Sequence, residues 1–154
     1  MFDIESIPIS IAPMMECTDR YYRFFMRFLT KHTLLYTEMI HTNAILKGDY
    51  KKLLDYSSEE HPIALQLGGN NPNDFAEASK IAYNEFGYDE INLNIGCPSD
   101  RVQDGNFGAC LMDKPDLVSE FVYQIKKNIN IPVTVKCRIG IDNKDSYEYL
   151  YNFI

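Results

Sequence analysis

Residues 91–98, Ile-Asn-Leu-Asn-Ile-Gly-Cys-Pro, decide how this chain reads. Apolar and amide side chains alternate from Ile91 to Ile95, the period of a strand with two unlike faces. Amides set into an apolar strand are costly to bury unless they find partners. Gly96 and Pro98 then bracket Cys97 where the chain must turn. The pattern suggests a strand whose C-terminal tip presents the thiol to a ligand. Behind it, residues 99–110 form a polar stretch with Gly105 and Gly108 near its end and a second thiol, Cys110.

Working outward, short apolar strands alternate with amphipathic helices. Ile9 to Ala12 reads as a strand ending at Pro13-Met14. Thr18 is placed to cap a helix in which Phe24, Phe25, Phe28 and Leu29 recur at helical spacing. A second strand runs from Leu34 to Met39, followed by a polar helical stretch from Thr42 to Leu54. Ile63 to Leu67 is a third strand, stopped by Gly68-Gly69. Asn71 reads as an N-cap with Pro72 in the first helical position, and the helix carries Phe75, Ala78, Ile81, Ala82 and Phe86 along one side. The fourth strand is Glu90 to Ile95. A helix near Pro115 to Asn128 turns Leu117, Val118, Phe121, Val122 and Ile125 inward, and Val133 to Ile139 is the fifth strand. Another helix begins at Ser146.

Five strands alternating with helices call for a parallel sheet with right-handed crossovers, either open and doubly wound or part of a (β/α)8 barrel. Each strand's C-terminal end carries a chemically useful group: Met14, Glu38, Gln66, Asn94 with Cys97, and Lys136 with Arg138. Barrel enzymes build their sites from such a ring, whereas an open sheet concentrates them at one switch point. No G-x-G-x-x-G follows the first strand. The fold expected is α/β, a partial (β/α)8 TIM barrel. A full barrel takes about 250 residues, so the 154 residues present hold five of eight βα units, the N-terminal part of one catalytic domain.

The totals agree with an ordinary globular chain: 45% hydrophobic and 24% charged residues. Residues 1–13 have neither a basic nor an apolar leader segment, and no apolar run approaches the roughly 18 residues of a membrane span. Four widely spaced cysteines, Cys17, Cys97, Cys110 and Cys137, show no CxxC and no zinc spacing. They read as reduced thiols in a cytoplasm. A net charge of −7 argues against a surface that coats nucleic acid generally, though not against a local basic site.

With these residues in view, the chain resembles the N-terminal half of the tRNA-dihydrouridine synthases. The segments that carry the likeness are APMMECTDRYYR, HTLLYTEMI, HPIALQLGG, YDEINLNIGCPSDRVQDGNFGACLM and IPVTVKCRIGID. The GCPSDRVQ and GACLM wording resembles the A subfamily, which implies uridines 20 and 20a of the tRNA D-loop as targets. The resemblance further implies FMN as cofactor, NADPH as reductant, and a C-terminal helical domain that helps hold tRNA. The last three strands, a flavin-contacting His and the phosphate-binding loops of the family lie past Ile154.

Reducing the C5–C6 bond of uracil needs a hydride at C6 and a proton at C5, and the protein must supply the acid. Cys97 is placed for that, since a thiol near pKa 8.5 is mostly protonated at neutral pH; on position alone it reads equally as a small buried hydrophobe. Lys136, in an otherwise apolar strand, either snorkels outward past a helix or faces the barrel interior. The resemblance favours the second, against the N1–C2=O edge of reduced flavin. Gln66 offers an amide either to neighbouring backbone or, as the resemblance implies, to the flavin's pyrimidine edge. The resemblance also sets Pro13, Met14 and Met15 against the flavin, residues that would otherwise be a strand end and core methionines. Asn94 corresponds to a family position near the target nucleotide, or else makes an interstrand amide bond. Arg138, two residues beyond Lys136, is a candidate for the substrate side or a surface ion pair. Residues 99–108 read as a lid over a flipped uridine or as a solvated loop. Cys17, Cys110 and Cys137 read as packing, and His32, His41 and His61 receive no catalytic part.

Two other functions fit less well: a dihydropyrimidine- or dihydroorotate-type flavin oxidoreductase, and an inactive barrel remnant that self-associates.

Overall fold

The computed structural model describes residues 9–154. The reading of residues 1–13 as free of a leader therefore falls mostly outside the described residues. Strands β1 (Ser10–Ile11), β2 (Leu34–Tyr36), β4 (Ile63–Gly68), β5 (Glu90–Ile95) and β6 (Val133–Cys137) pair in that order, all parallel. A two-residue strand, β3 (Ile40–His41), also pairs with β4. Tyr36 lies opposite Ala64 and Ile40 opposite Leu67, so four steps along one strand match three along the other. β2 and β3 are thus one strand broken by a bulge. The expected strand from Leu34 to Met39 is interrupted there, after Thr37 N–H has donated to the Ala64 carbonyl at 3.0 Å. Sequential parallel order with helical crossovers is the architecture of a TIM barrel, and the strands make up five of its eight units.

Register divides each strand by parity. Ile63, Leu65 and Leu67 of β4 and Ile91, Leu93 and Ile95 of β5 are fully buried. They form the main core with helices α4 (Pro72–Ile81) and α6 (Pro115–Lys126), where Phe75 and Phe121 pack at 4.7 Å between ring centroids. The alternate residues, Tyr36, Gln66, Glu90, Asn92, Asn94, Thr134 and Lys136, line the inner face. Leu34 and Ala64 share that face, which is polar along β5 from Glu90 at the bottom to Asn94 at the tip.

Local rules set most of the helix ends. Asn71 caps α4 by accepting from the N–H groups of Asn73 and Asp74, with Pro72 in the first turn as its sequence position indicates. The helix then loosens into a π turn over Ala82–Phe86, which Gly87 ends at φ 73°. The stretch expected as one helix from Thr42 to Leu54 is two, α2 (Thr42–Lys47) and α3 (Tyr50–Leu53), because Gly48 stops the first and Asp49 caps the second. Ser146 caps the last helix, α7 (Tyr147–Phe153).

Helix α1 (Arg20–Leu29) departs further from expectation. Asp19, not Thr18, is its N-cap, and Thr18 instead exchanges hydrogen bonds with the backbone of Met14. The side chain it buries is Arg23, ion-paired with the fully buried Glu60 at 2.6 Å. Arg27 donates to the carbonyls of Thr33, Glu60 and Pro62, tying the helix to the lower ends of β2 and β4. Phe24, Phe25, Phe28 and Leu29 recur at helical spacing as read, but that face is exposed, Phe28 to 74%.

Candidate active site at the strand tips

The turn at the tip of β5 is built by one side chain. Asn94 Oδ1 accepts the backbone N–H of Gly96 at 3.2 Å and of Cys97 at 3.0 Å. An amide oxygen that takes two successive N–H groups closes the chain on itself, as Asx turns do. Cys97 is half-buried beside a cleft of about 920 Å³, and its Sγ lies 3.5 Å from Ser99 Oγ. Met15, Glu38, His41, Ser99 and Phe107 share that cleft with Cys97.

The stretch expected to be a loose lid is folded. Residues Asp100–Asp104 form a short helix, α5, and Gly108–Asp113 a 3-10 segment. Ala109 N–H donates to the carbonyl of Cys97 at 3.0 Å, which folds the returning chain against the thiol's own backbone. Gly108, at φ 71°, makes this approach: a Cβ there would lie 2.6 Å from Cys97 O and also strike Val102. Val102 and Phe107 are buried under the turn. Local polarity hid this order from the sequence, since the stretch's few apolar residues fall at irregular intervals.

Beneath Asn94 the inner face carries a continuous run of side-chain hydrogen bonds. Asn94 Nδ2 donates to Gln66 Oε1 at 2.9 Å, Gln66 Nε2 to Asn92 Oδ1 at 2.7 Å, and Asn92 Nδ2 to Thr134 Oγ1 at 2.8 Å. Thr134 in turn donates to Glu90 Oε1, which also accepts from the Tyr36 hydroxyl at 2.8 Å. Gln66, Asn92 and Glu90 are all buried. Burial raises the Glu90 carboxyl above its ordinary range, against the lowering effect of the Thr134 and Tyr36 bonds. Burial and the neighbouring Glu90 together push the Tyr36 phenol up.

The remaining sequence candidates distribute around this centre. Asn94 and Lys136 are register partners, so the lysine stands beside the Cys97 turn on the inner face. It is exposed and makes no ion pair among the described residues. Arg138 donates to the Gly96 carbonyl at 3.3 Å and lines a smaller cleft of about 390 Å³ with Pro98, Gln103 and Cys110. Met14 and Met15 are each 55% exposed and Pro13 is half-buried, at the tip of β1. Gln66 sits one layer below Asn94 with both amide atoms engaged. Cys110 packs against the core and donates to Phe107 O, and Cys137 packs likewise; Cys17, read as packing, is exposed.

Sequence reasoning passed over His41. It caps α2 by accepting from Asn43 N–H at 3.1 Å, meets Phe107 edge-on at 4.9 Å, and faces the cleft. Burial lowers its pKa, against the pull of Asp74, so the ring is held neutral. Its only sequence signal was its place after a strand. No group of three or more His, Cys, Asp or Glu side chains suited to a metal exists among the described residues, and no helix there is long and apolar enough to cross a membrane.

A thiol on a strand tip, a lysine with no ion pair among the described residues and amides below thus gather on the inner face of β5 and β6. The family model for dihydrouridine synthases matches residues 10–154. The chain belongs to the dihydrouridine synthase family. It is 62% identical over 147 residues to the tRNA-dihydrouridine(20/20a) synthase of Synechocystis sp. (strain ATCC 27184 / PCC 6803 / Kazusa), covering 96% of this chain and 44% of that protein. Proteins of the same name from Vibrio parahaemolyticus and Escherichia coli K12 are 59% and 58% identical, over 97% and 94% of this chain and 45% and 41% of theirs. The chain thus spans less than half the length of these curated relatives. Within the dihydrouridine synthase frame, the matched region includes every candidate residue from Pro13 to Arg138.

Proposed function

We propose that this chain is the N-terminal part of the catalytic domain of a synthase that reduces uridine to 5,6-dihydrouridine in the D-loop of tRNA, at positions 20 and 20a. The observation that carries the proposal is the setting of Cys97. It is a thiol held by Asn94 at a strand tip beside an open cleft, in a chain whose relatives are named for this reaction.

The inner face suits a flavin. Lys136 is an exposed cation without an anionic partner among the described residues, beside Asn94, and the exposed Met14 and Met15 offer apolar atoms to an aromatic ring. In this reading Lys136 meets the N1–C2=O edge, Pro13, Met14 and Met15 lie against the ring, and Gln66 offers the one N–H that Asn92 leaves it. Bound FMN, reduced by NADPH, supplies the hydride for C6 of uracil. The chain's own residues do the rest. Cys97 holds the proton destined for C5 on its sulfur, Asn94 fixes the turn that presents it, and Asn94 and Arg138 face the nucleotide. The uridine leaves its stack to enter the cleft, with the folded segment from Ser99 to Gly108 as its wall.

The test is a full-length protein carrying these residues, purified and assayed with NADPH and unmodified tRNA. A flavin absorbance spectrum and dihydrouridine at positions 20 and 20a are expected. A colourless protein, or one that reduces free pyrimidines and leaves tRNA untouched, would overturn the proposal.

A further inference from the structure

The hydrogen-bond run on the inner face has a direction, set at its tip by groups that have no choice and ending below on a buried carboxyl. At the tip the donors are backbone N–H groups of Gly96 and Cys97, which can only donate. At the base the acceptor is the Glu90 Oε1 atom, which takes both the Thr134 and the Tyr36 hydroxyl. Between them each amide has one orientation that satisfies both neighbours. Asn94 must turn its oxygen up and its nitrogen down, and Gln66 and Asn92 must follow. Reversing Asn94 or Gln66 would set two acceptors face to face on one side and two donors on the other, and reversing Asn92 would turn its nitrogen onto that of Gln66, in sites where Gln66, Asn92 and Glu90 are 1%, 3% and 1% exposed. Buried polar groups left in that state lose far more than a single bond contributes.

We infer that Glu90, at the opposite end of β5 from the thiol, is a positioning residue for Cys97: it anchors a one-way chain through Thr134, Asn92, Gln66 and Asn94 that holds the Cys97 turn. Tyr36 is a side branch, bonded to Glu90 but outside the path. The catalytic meaning of the inference rests on the reading of Cys97 as proton donor; its structural content does not.

That separation sets the experiment. Amide hydrogen exchange is measured residue by residue on the protein and on Glu90→Leu, Glu90→Gln, Thr134→Val and Tyr36→Phe. Glu90→Leu and Thr134→Val each remove a link, so the amides of Gly96 and Cys97 are expected to exchange at least about tenfold faster, while Leu65 and Leu93 keep their protection. Glu90→Gln retains an acceptor oxygen and is expected to restore slow exchange. Tyr36→Phe is expected to leave the two amides unmoved. Should Glu90→Leu fail to fold, Thr134→Val decides. Unchanged exchange at Gly96 and Cys97 in Thr134→Val, or faster exchange spread equally over Leu65 and Leu93, would overturn the inference. In a full-length synthase, Glu90→Leu is expected to lower kcat about tenfold with KM for tRNA unchanged. A fall in KM-dependent binding with constant kcat would count against a role at the thiol. Failure of the assay enzyme to make dihydrouridine at all would remove the function while leaving the exchange result standing.

Discussion

Asn94 Oδ1 and the backbone N–H of Cys97 are 3.0 Å apart, three residues along the chain, and the same oxygen also holds Gly96. The amide that faces the nucleotide in the proposed function is therefore also the amide that shapes the thiol's turn. Asn94→Ala strips both N–H groups of their acceptor and leaves Gln66 Oε1 without its donor, a loss of about 1–3 kcal/mol in stability. Urea unfolding reads that directly. In a full-length synthase the same variant should lose product formation about tenfold or more; full activity would show that the turn holds without it.

Cys97→Ala separates chemistry from structure. The half-buried side chain packs at the edge of the core and its sulfur makes one long hydrogen-bond contact among the described residues, to Ser99 Oγ, so its removal should cost no more than about 1 kcal/mol. Product formation should fall by about a hundredfold or more, the range of a lost general acid, with flavin still bound. An Ala variant that makes dihydrouridine at near the normal rate removes Cys97 from the mechanism.

Lys136→Met tests the counter-ion. The lysine has no ion pair among the described residues to lose, so folding should be little changed. FMN retention and the rate of flavin reduction by NADPH should both drop, because reduction places charge near N1. Unchanged flavin content together with an unchanged reductive half-reaction would count decisively against the assignment.

Gly108→Ala reaches the thiol from the other side. A Cβ at φ 71° is strained in itself, and this one meets the Cys97 carbonyl at 2.6 Å. The cost should be about 1–3 kcal/mol, accompanied by a changed alkylation rate at Cys97 measured by peptide mass spectrometry. A variant as stable as the parent, with the same alkylation rate, would mean that the segment can lift away freely.

How far these relationships were legible in the sequence depends on their range. Alternation in Ile91–Ile95 gave a two-faced strand, and the tip residues of successive strands gave the barrel, because strand parity is a local property. Capping by Asn71 and Pro72 was local too. The partners of Asn92 and Asn94 were not, since Gln66 and Thr134 come from other strands and only register brings them level. The bulge between Tyr36 and Ile40 depends on the pairing of β2 and β3 with β4, and no residue within it announces it. Glu90 read as the polar first residue of a strand, though it is among the most buried side chains of the inner face.

Glu90 also gives the fold a pH signature. Burial raises its folded pKa above the ordinary value of 4.5, and Tyr36 and Thr134 are the groups that face it. A raised folded pKa means that the native state takes up the proton more readily than the unfolded chain. Its stabilising contribution is therefore full below about pH 4.5 and is lost as pH rises through the higher folded value. Glu90→Gln escapes that loss. The variant's melting temperature should exceed the parent's at pH 8, and the gap should shrink towards pH 4. A gap that is constant across this range, or wider at pH 4, would show that burial does not raise the carboxyl's pKa.

The exposed face of α1 bears on the chain's behaviour in solution. Phe25, Phe28 and Leu29 are 58%, 74% and 67% exposed, and Phe24 stacks edge-on against Phe28 at 5.5 Å. The helix follows β1 in the chain, and β1 stands at the end of the sheet order, pairing among the described residues with β2 alone. An exposed aromatic helix face and a strand edge unpaired among the described residues present apolar surface and backbone groups, the two features that drive association. The 154-residue chain should accordingly form dimers or larger species, bind FMN weakly and sustain no turnover by itself. Sedimentation velocity on the chain and on a Phe25→Glu, Phe28→Glu double variant checks the first point. The double variant should shift towards monomer with its circular dichroism unchanged, because neither ring belongs to the main core. A parent chain that sediments as a monomer, carries stoichiometric FMN and makes dihydrouridine would show that this face needs no cover and that these five strands are enough.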